Sequence, residues 1–335
     1  EKIKKRESIM MTSNNSELLE LCINEIKKSK NIYLASHINP DGDNIGSLLS
    51  LGMALKKLNK KVSIVKVDDI PRDYEFLPGL DLFIEPNISE PIDLFISLDS
   101  SDLERLGIGK EIALKANKII NIDHHVTNDN FGNINIVDPL ASATGELVYD
   151  LITKLDVEID SHIATCIYVA ISSDTGSFMY DNTTRKTHLI AADLLDKGIN
   201  KNEIIVNLYQ SKSMGKTKLF IKALNSLEMY CNKRVGIITV TQEMLNECNT
   251  KMEDTEGIIS FVRDIEGIEI ACILKEFKED EVKLSLRSKS IVDVSQICLI
   301  FNGGGHSRAA GCTINDNVEN AKIIILNEIK KHLGD

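Results

Sequence analysis

Hydrophobic positions in the first 200 residues alternate between short runs and longer, helically spaced segments. Short apolar runs with the length of buried strands occupy residues 32–35, 62–67, 94–98 and 118–122. Segments with apolar residues at helical spacing occupy residues 16–29, 45–58, 145–155, 163–172 and 184–197. Because strands that alternate with helices form parallel sheets, the pattern predicts an α/β domain with a doubly wound, mainly parallel sheet.

The pattern changes in the second half of the chain. Residues 199–215 are polar with few apolar anchors, and we interpret them as a linker between two domains. Further strands are predicted at 235–240, 268–277 and 281–287, and further helices at 256–265 and 318–332. The sequence therefore predicts a first domain over 12–198 and a smaller α+β domain with a mixed sheet over 216–335.

Potential metal ligands follow the hydrophobic segments of the first domain. They are His37, Asp41 and Asp43 in H-I-N-P-D-G-D, Asp99 in F-I-S-L-D-S, His124 in I-D-H-H, and Asp174 in S-S-D-T-G. Ligands bind at the carboxyl ends of parallel strands. One such cluster alone would be weak evidence, since solvated loops and helix caps look the same. Six ligands are too many for one ion and suit two ions that share a carboxylate. Imidazole and carboxylate without thiolate favour Mn²⁺, Mg²⁺ or Fe²⁺ over structural zinc.

A second group of polar residues lies in the C-terminal half. Strand alternation places Ser285 and Arg287 of S-L-R-S-K on one face, followed by Ser288, and Arg287 suits a bidentate phosphate contact. The segment F-N-G-G-G-H-S-R-A-A-G contains Gly303, Gly304, Gly305 and His306. We expect these glycines to open a short helix whose backbone N–H groups donate hydrogen bonds to a phosphate. A flexible turn and an exposed strand arginine are the alternative interpretations.

Composition limits the functions that the chain can have. A net charge of −11 is unfavourable for a protein that coats long nucleic acid, and no apolar segment approaches the length of a membrane span. The seven cysteines are scattered without a C-x-x-C pair, so we expect reduced thiols and a cytoplasmic location. Residues 1–11 are basic but lack the apolar core of a secretory signal, and Met10 or Met11 is the expected start. Ser142 and Thr144 are expected to cap the helix that follows them.

The motifs of the first domain carry a family resemblance. D-H-H at 123–125, preceded by H-I-N-P-D-G-D and followed by S-S-D-T-G-S-F, resembles the DHH phosphoesterase superfamily. The segments around Arg287 and His306 resemble the DHH-associated domain, and T-E-G-I-I-S-F-V-R at 255–263 is similar to its version in NrnA-type nanoRNases and pAp phosphatases. The resemblance covers nearly the whole chain. It implies one ion at His37 and Asp41, a bridging Asp99, and a second ion at Asp43, His124 and Asp174.

The same resemblance implies roles for the remaining residues and a substrate class. Asp123 would orient His124 through its second ring nitrogen, and His125 would contact the substrate phosphate. The expected enzyme uses two divalent ions, most simply Mn²⁺ with Mg²⁺ as a second option. It hydrolyses short RNA and dinucleotides such as pApA and pGpG to mononucleotides, with pAp as a further substrate. The substrate would lie in a cleft between the two domains.

Two other functions remain open at this point. The first is an enzyme for inorganic pyrophosphate or polyphosphate, against which the G-G-G-H segment favours a nucleotide. The second is a nucleotide sensor without catalysis, which the presence of all six ligands disfavours. No membrane partner or long duplex partner is expected. The sequence does not fix the oligomeric state, and a homodimer is left open.

Overall fold

The computed structural model describes residues 17–86 and 91–334, so the expectations for residues 1–11 lie outside the described residues. Within it, the chain divides into two compact units, the first ending at Ser211 and the second beginning at Lys212. Each unit has its own sheet and its own hydrophobic core.

The sheet of the first unit has six parallel strands among the described residues. They are β1 (Asn31–Ala35), β2 (Lys61–Val65), β3 (Phe83–Ile84), β4 (Leu94–Leu98), β5 (Ile119–Asp123) and β6 (Ile134–Val137). Their order is β3-β2-β1-β4-β5-β6, and every neighbouring pair is parallel. The chain runs outward from β1 to β3, returns to β4 beside β1, and then runs outward to β6. The carboxyl ends of β1 and β4 therefore form a topological switch point, where open α/β sheets bind ligands.

Helices cover both faces of this sheet. They are α1 (17–28), α2 (Gly42–Lys57), α3 (Gly109–Ala113), α4 (Thr144–Lys154), α5 (Ser161–Asp174), α6 (Arg185–Asp196) and α7 (Lys201–Tyr209). Alternate residues of β1 face opposite cores, with Ile32 and Leu34 in the larger core beside α2, α4 and α5 and Tyr33 in the smaller core beside α3. Both faces are apolar because both are covered, as in parallel sheets generally.

The packing of α2 against α5 fixes the position of the α2 N-terminus. A Cβ atom at Gly46 would lie 2.3 Å from the carbonyl oxygen of Cys166 and 3.0 Å from atoms of Ala170. Only glycine permits so close an approach of the two helix backbones. The start of α2 is thereby held beneath the switch point of the sheet.

The second unit contains a mixed sheet. Its strands are β7 (Glu228–Tyr230), β8 (Val235–Val240), β9 (Ile270–Lys278), β10 (Glu281–Ser288), β11 (Gly304–His306) and β12 (Ala309–Ile314). The order is β11-β12-β10-β9-β8-β7, with β8 and β9 parallel and the other pairs antiparallel. Its helices are α8 (Met214–Asn225), α9 (Gln242–Cys248), α10 (Ile258–Asp264), α11 (Val294–Leu299) and α12 (Val318–Leu333). Helices α11 and α12 cover one face, while α8, α9 and α10 pack on the other near β8 and β9.

The fold class predicted from the sequence is confirmed: a doubly wound parallel sheet precedes a mixed α+β sheet. The segment 199–215 differs from the expected linker, because it forms α7, whose Ile204 is buried in the core of the first unit. The segment between β2 and β3 contains two short 3₁₀ helices, at Arg72–Tyr74 and Leu80–Leu82. Among the described residues, no helix has the length and apolar character needed to cross a membrane.

Candidate metal centre and substrate-binding face

His37 and Asp99 lie at the switch point of the first sheet, directly after β1 and β4. Nε2 of His37 lies 3.3 Å from Oδ2 of Asp99 and 3.9 Å from Oδ2 of Asp41. Nδ1 of His37 lies 2.7 Å from the Ile38 carbonyl oxygen. Because a carbonyl can only accept, this contact places the proton on Nδ1 and directs the Nε2 lone pair at the carboxylates. Such a nitrogen is ready to bind a metal ion.

His124 is the centre of a second group. Its Nε2 atom lies 3.2 Å from Oδ2 of Asp174, 3.6 Å from Oδ1 of Asp99 and 3.8 Å from Oδ2 of Asp43. Its Nδ1 atom lies 3.2 Å from the carbonyl oxygen of Ala141, so the tautomer argument made for His37 applies again. The ligand atoms of Asp43, His124 and Asp174 lie within 4.8 Å of one another, as do those of His37, Asp41 and Asp99.

Asp99 belongs to both neighbourhoods. Its Oδ2 atom faces His37, its Oδ1 atom faces His124, and Thr144 Oγ1 donates a 3.0 Å hydrogen bond to Oδ1. The backbone of Asp99 is left-handed, with φ = +55°, while its N–H donates to the Ile122 carbonyl. Aspartate tolerates this conformation better than most residues, and such strain collects at functional sites. The turn directs the carboxylate across the edge of the sheet, between the two histidines.

The N-terminus of α4 holds Asp43. We expected Ser142 and Thr144 to cap this helix, and that expectation is wrong, because the N-cap residue is Ala143 and no side chain at that position caps the helix. The backbone N–H of Thr144 donates to Oδ2 of Asp43 at 2.6 Å, and that of Gly145 donates to Oδ1 at 2.9 Å. A carboxylate from another helix therefore satisfies these N–H groups and is favoured by the helix dipole.

The carboxylates of the cluster are buried and repel one another. Burial raises the pKa of Asp43 well above its usual value, and the charges of Asp99 and Asp174 act in the same direction. Burial also raises the pKa of Asp174 to about 7, an effect that the charge of His124 opposes. Burial would raise the pKa of Asp99, but the hydrogen bond with His37 and the charge of His124 hold it below its usual range. Divalent cations would relieve this repulsion, so the donor set fits them.

The structure corrects the expected role of Asp123. We expected Asp123 to orient His124, but Oδ1 of Asp123 lies 2.7 Å from Nδ1 of His125. The reason is strand alternation: residues i and i+2 of an extended chain point the same way, and residues i and i+1 point to opposite sides. Oδ2 of Asp123 accepts a 2.6 Å hydrogen bond from Asn128. Both oxygens are therefore used by protein donors, and Asp123 positions His125, whose Nδ1 lies 3.7 Å from Asp99.

Two residues near the centre were missed in the sequence. Thr144 contacts Asp99 through its hydroxyl and Asp43 through its backbone, but in the sequence it had only the appearance of a helix cap. Asn128 fixes Asp123 from a loop, and it is preceded by D-H-H-V-T, in which nothing marks it. Neither is a metal ligand, and both act through the residues that they hold.

The second unit carries the other predicted residues, on the sheet face opposite α11 and α12. Val282, Leu284 and Leu286 of β10 are buried in the core beneath α12, whereas Ser285 and Arg287 point to the other face and are partly exposed. Arg287 is paired with Ala309 of β12, which is paired in turn with His306 of β11. Paired residues of antiparallel strands share a face. The structure thus places Arg287 and His306 in one row across three strands.

The glycine segment adopts a different structure from the one expected. We predicted that it opens a helix, but Gly304, Gly305 and His306 form β11, paired with β12. A Cβ at Gly303 would lie 2.2 Å from the Gly311 carbonyl oxygen, and one at Gly305 would lie 2.5 Å from that of Ala309. Gly305 also has φ = +136°. The glycines are therefore required for close backbone approach in a β-hairpin, and the expected helix N-terminus is absent from this described segment.

Ser288 does not join the face of Ser285 and Arg287. Alternation turns its side chain to the buried side of β10, where it is 2% exposed. Its hydroxyl donates to the Ser307 carbonyl at 3.3 Å and accepts from Arg308 at 3.5 Å. The burial of Ser288 disfavours the contact with substrate that we expected. Its hydrogen bonds instead hold the hairpin that carries His306.

Comparison with known proteins agrees with this architecture. Residues 31–171 match the model of the DHH family, N-terminal domain, and residues 232–334 match that of the DHHA1 domain. The crystal structure of an exopolyphosphatase-related protein from Bacteroides fragilis superposes with a TM-score of 0.87 at 27% identity, covering 94% of this chain and 96% of that one.

Two curated relatives are named bifunctional oligoribonuclease and PAP phosphatase NrnA. The protein of Thermus thermophilus is 34% identical over 309 residues, which are 90% of this chain and 90% of the relative. That of Bacillus subtilis is 27% identical over 286 residues, 84% of this chain and 89% of the relative. The two domain matches and the similarity to the Thermus relative show that this chain belongs to the DHH family and has a C-terminal DHHA1 domain.

Proposed function

We propose that this protein is a metal-dependent phosphodiesterase that hydrolyses short RNA oligonucleotides and dinucleotides, including pApA and pGpG, to mononucleotides, and pAp to AMP. The observation that carries the proposal is the position of Asp99, whose two oxygens face two separate histidine-carboxylate groups. This is the arrangement expected of a carboxylate shared by two ions. The activities named for the two NrnA relatives, oligoribonuclease and PAP phosphatase, support short RNA and pAp as the substrate class.

His37 and Asp41 would hold one ion, and Asp43, His124 and Asp174 the other, with Asp99 between them. Mn²⁺ suits this mixture of imidazole and carboxylate, and Mg²⁺ is the second option. When bound, the ions would neutralise phosphoryl charge and make water a better nucleophile at neutral pH.

The residues of the chain itself would bind and orient the substrate. His125, held by Asp123, would donate a hydrogen bond to a phosphoryl oxygen and stabilise the charge that develops there. Arg287, with Ser285 and His306 on the same sheet face, would bind a second phosphate of the nucleotide. The backbone of Gly303–Gly305, which has no side chains, would allow that phosphate to approach.

The proposal assigns catalysis to residues 12–198 and substrate binding to residues 216–335. It also places the protein in the cytoplasm. The seven cysteines form no disulfide, and burial raises the pKa of the Cys22 thiol to about 12, so this thiol is unreactive. Reduced, unreactive thiols are typical of a reducing compartment.

The test is hydrolysis of a length series of 5′-labelled RNA, from two to about ten nucleotides, together with pApA, pGpG, pAp, pyrophosphate and polyphosphate. We expect Mn²⁺-dependent release of mononucleotides, loss of activity with a chelator, and recovery when Mn²⁺ is restored. Hydrolysis of pyrophosphate or polyphosphate without hydrolysis of nucleotides would replace the proposal with the rival enzyme. Tight nucleotide binding in Mn²⁺ without turnover would favour the sensor.

A further inference from the structure

Two lysines face each other on the side of the second sheet opposite α11 and α12. Lys275 of β9 and Lys283 of β10 are directly paired in the antiparallel register. Like charges at such positions are destabilising, because paired Cβ atoms are only about 5 Å apart. Neither lysine forms an ion pair with a carboxylate in the part of the chain that the structure describes. The burial of Lys275 lowers its pKa, and the charges of Lys283 and Arg287 act in the same direction, whereas the charge of Glu256 opposes them.

An aromatic ring lies beside this pair. Phe277, two residues beyond Lys275 on β9, is 38% exposed. Nζ of Lys283 lies 3.8 Å from the centroid of its ring and Nζ of Lys278 lies 5.3 Å from it, both within the range of a cation–π contact. A large exposed ring at a strand end has no role in either core of this unit. Lysines together with an exposed aromatic face are the combination that binds single-stranded nucleic acid.

The pair and the ring extend the face that carries Arg287. Lys283, Ser285 and Arg287 alternate with the buried Val282, Leu284 and Leu286, so all three point away from α12. Lys275 has the same parity on β9 as Ile273, which is paired with Ser285. Phe277 lies at a register shift between β9 and β10, and its contact with Lys283 places its ring beside this face. Lys283 lies four residues from Arg287, which is about 13 Å along the strand. Three cationic side chains, those of Lys275, Lys283 and Arg287, therefore lie on this face, with Glu256 near Lys275, in a chain whose net charge is −11.

We propose that Lys275, Phe277 and Lys283 form a subsite for one further nucleotide of a single-stranded RNA substrate, beyond the phosphate that Arg287 binds. The base stacks on Phe277 in the place that the ammonium group of Lys283 occupies in the free protein, and Lys283 moves to the adjoining phosphate, which it neutralises together with Lys275. This inference rests on the proposed function and adds to it a reason for a preference among substrate lengths. Substrates that reach Phe277 gain the stacking contact, whereas a dinucleotide or pAp ends before it.

The test compares Phe277→Leu, Lys275→Ala and Lys283→Ala with the wild type and with Lys331→Ala. Lys331 is a largely exposed lysine of α12, on the opposite side of the sheet, so its removal makes the same change in net charge. Leucine keeps the apolar volume of Phe277 but has no π face, which preserves folding. For each protein, kcat/KM is measured on a five-nucleotide RNA and on pApA, and thermal melting checks that the variant is folded.

We expect the ratio of kcat/KM for the five-nucleotide RNA to that for pApA to fall about tenfold in Phe277→Leu. In Lys331→Ala the ratio stays within about twofold of the wild type, the difference expected for an exposed charge far from the strand. Each lysine variant should also reduce the slope of log affinity against log salt by about 0.7, the change expected for one phosphate contact to a single strand. Equal ratios in all the proteins would overturn the subsite.

A binding measurement separates this inference from the proposed function. Binding of a fluorescent five-nucleotide RNA is measured by anisotropy in the presence of chelator, where no turnover occurs. Weaker binding by Phe277→Leu in a protein that hydrolyses no RNA would refute the proposed function and retain the subsite. Hydrolysis of RNA by the wild type, together with equal RNA binding by all variants, would support the proposed function and refute the subsite. Failure of the wild type to bind the RNA would also overturn the subsite.

Discussion

Oδ1 of Asp123 lies 2.7 Å from Nδ1 of His125, and this contact connects the end of β5 to the metal centre. Burial would lower the pKa of His125, but the hydrogen bond with Asp123 and the charge of Asp99 raise it to about 9. The second oxygen of Asp123 accepts from Asn128. Asp123 therefore holds His125 in place, whereas His124 is held by the backbone carbonyl group of Ala141.

Asp123→Asn is expected to lower kcat on pApA by about 10- to 100-fold while leaving Mn²⁺ affinity close to that of the wild type. The amide retains the shape of the side chain but removes the charge that orients His125. Steady-state kinetics and isothermal titration with Mn²⁺ measure the two effects, and Asp129→Asn, an exposed neighbour, is the control. Loss of a metal ion in Asp123→Asn would show that Asp123 is a ligand.

Asp99→Asn tests the shared carboxylate. Asparagine tolerates the left-handed backbone of this position, where φ is +55°, so the variant should fold. We expect kcat to fall at least about a thousandfold, because several kcal/mol of transition-state stabilisation depend on the ions that this residue holds. Metal analysis of the purified variant should find less bound Mn²⁺ than in the wild type. A variant that retains two ions and substantial turnover would refute the shared position.

The sequence indicated the candidate ligands because each lies near the end of a helix or strand that hydrophobic spacing reveals. His37 and Asp99 follow strands whose neighbours in the sheet could be anticipated from strand–helix alternation. Hydrophobic spacing could not place β3 or β11, which have two and three residues and contain no complete alternation. Nor could it show that α7 occupies the expected linker, since the burial of Ile204 depends on tertiary packing.

The errors within the site have one physical origin, which is that side-chain partners depend on direction as well as on proximity in sequence. Asp123 is adjacent to His124 but points with His125. Ser288 is adjacent to Arg287 but points to the buried side of β10. The glycines before His306 were interpreted as an anion-binding helix start, whereas their register with β12 became visible only in three dimensions.

Thr144→Val removes the hydroxyl that donates to Oδ1 of Asp99 and keeps the shape and the backbone N–H that donates to Asp43. We expect Mn²⁺ affinity or kcat to fall by about 10- to 100-fold, as for other residues that hold a metal ligand in place. Thr144→Ser restores the donor and should recover most of the loss. Metal titration and kinetics on pApA measure both variants. Equal activity in the valine and serine variants would show that the hydroxyl has no part in holding Asp99.

Arg287→Ala should raise KM for pApA at least about tenfold with little change in Mn²⁺ binding, because it removes a charged hydrogen-bond donor from the substrate face. Ser288→Ala is the matched control. Its side chain points away from that face, so KM should stay within about twofold, and only the hairpin held by Ser288 is weakened slightly. A larger KM change in Ser288→Ala than in Arg287→Ala would reverse this assignment.

Gly46→Ala tests whether the approach of α2 to α5 supports the metal centre. The added methyl group would lie 2.3 Å from the Cys166 carbonyl oxygen, which is backbone and cannot rotate away. We expect a loss of about 2 kcal/mol in the free energy of unfolding. Displacement of α2 should also weaken Mn²⁺ binding, because Asp41 and Asp43 lie at its N-terminus. Gly52→Ala, on the same helix, would contact the side-chain ends of Leu82, Ile64 and Leu34, at 3.1, 3.3 and 3.6 Å, and gains helix propensity. Thermal melting with and without Mn²⁺ should therefore separate the two variants, and equal melting temperatures would show that α2 can shift at little cost.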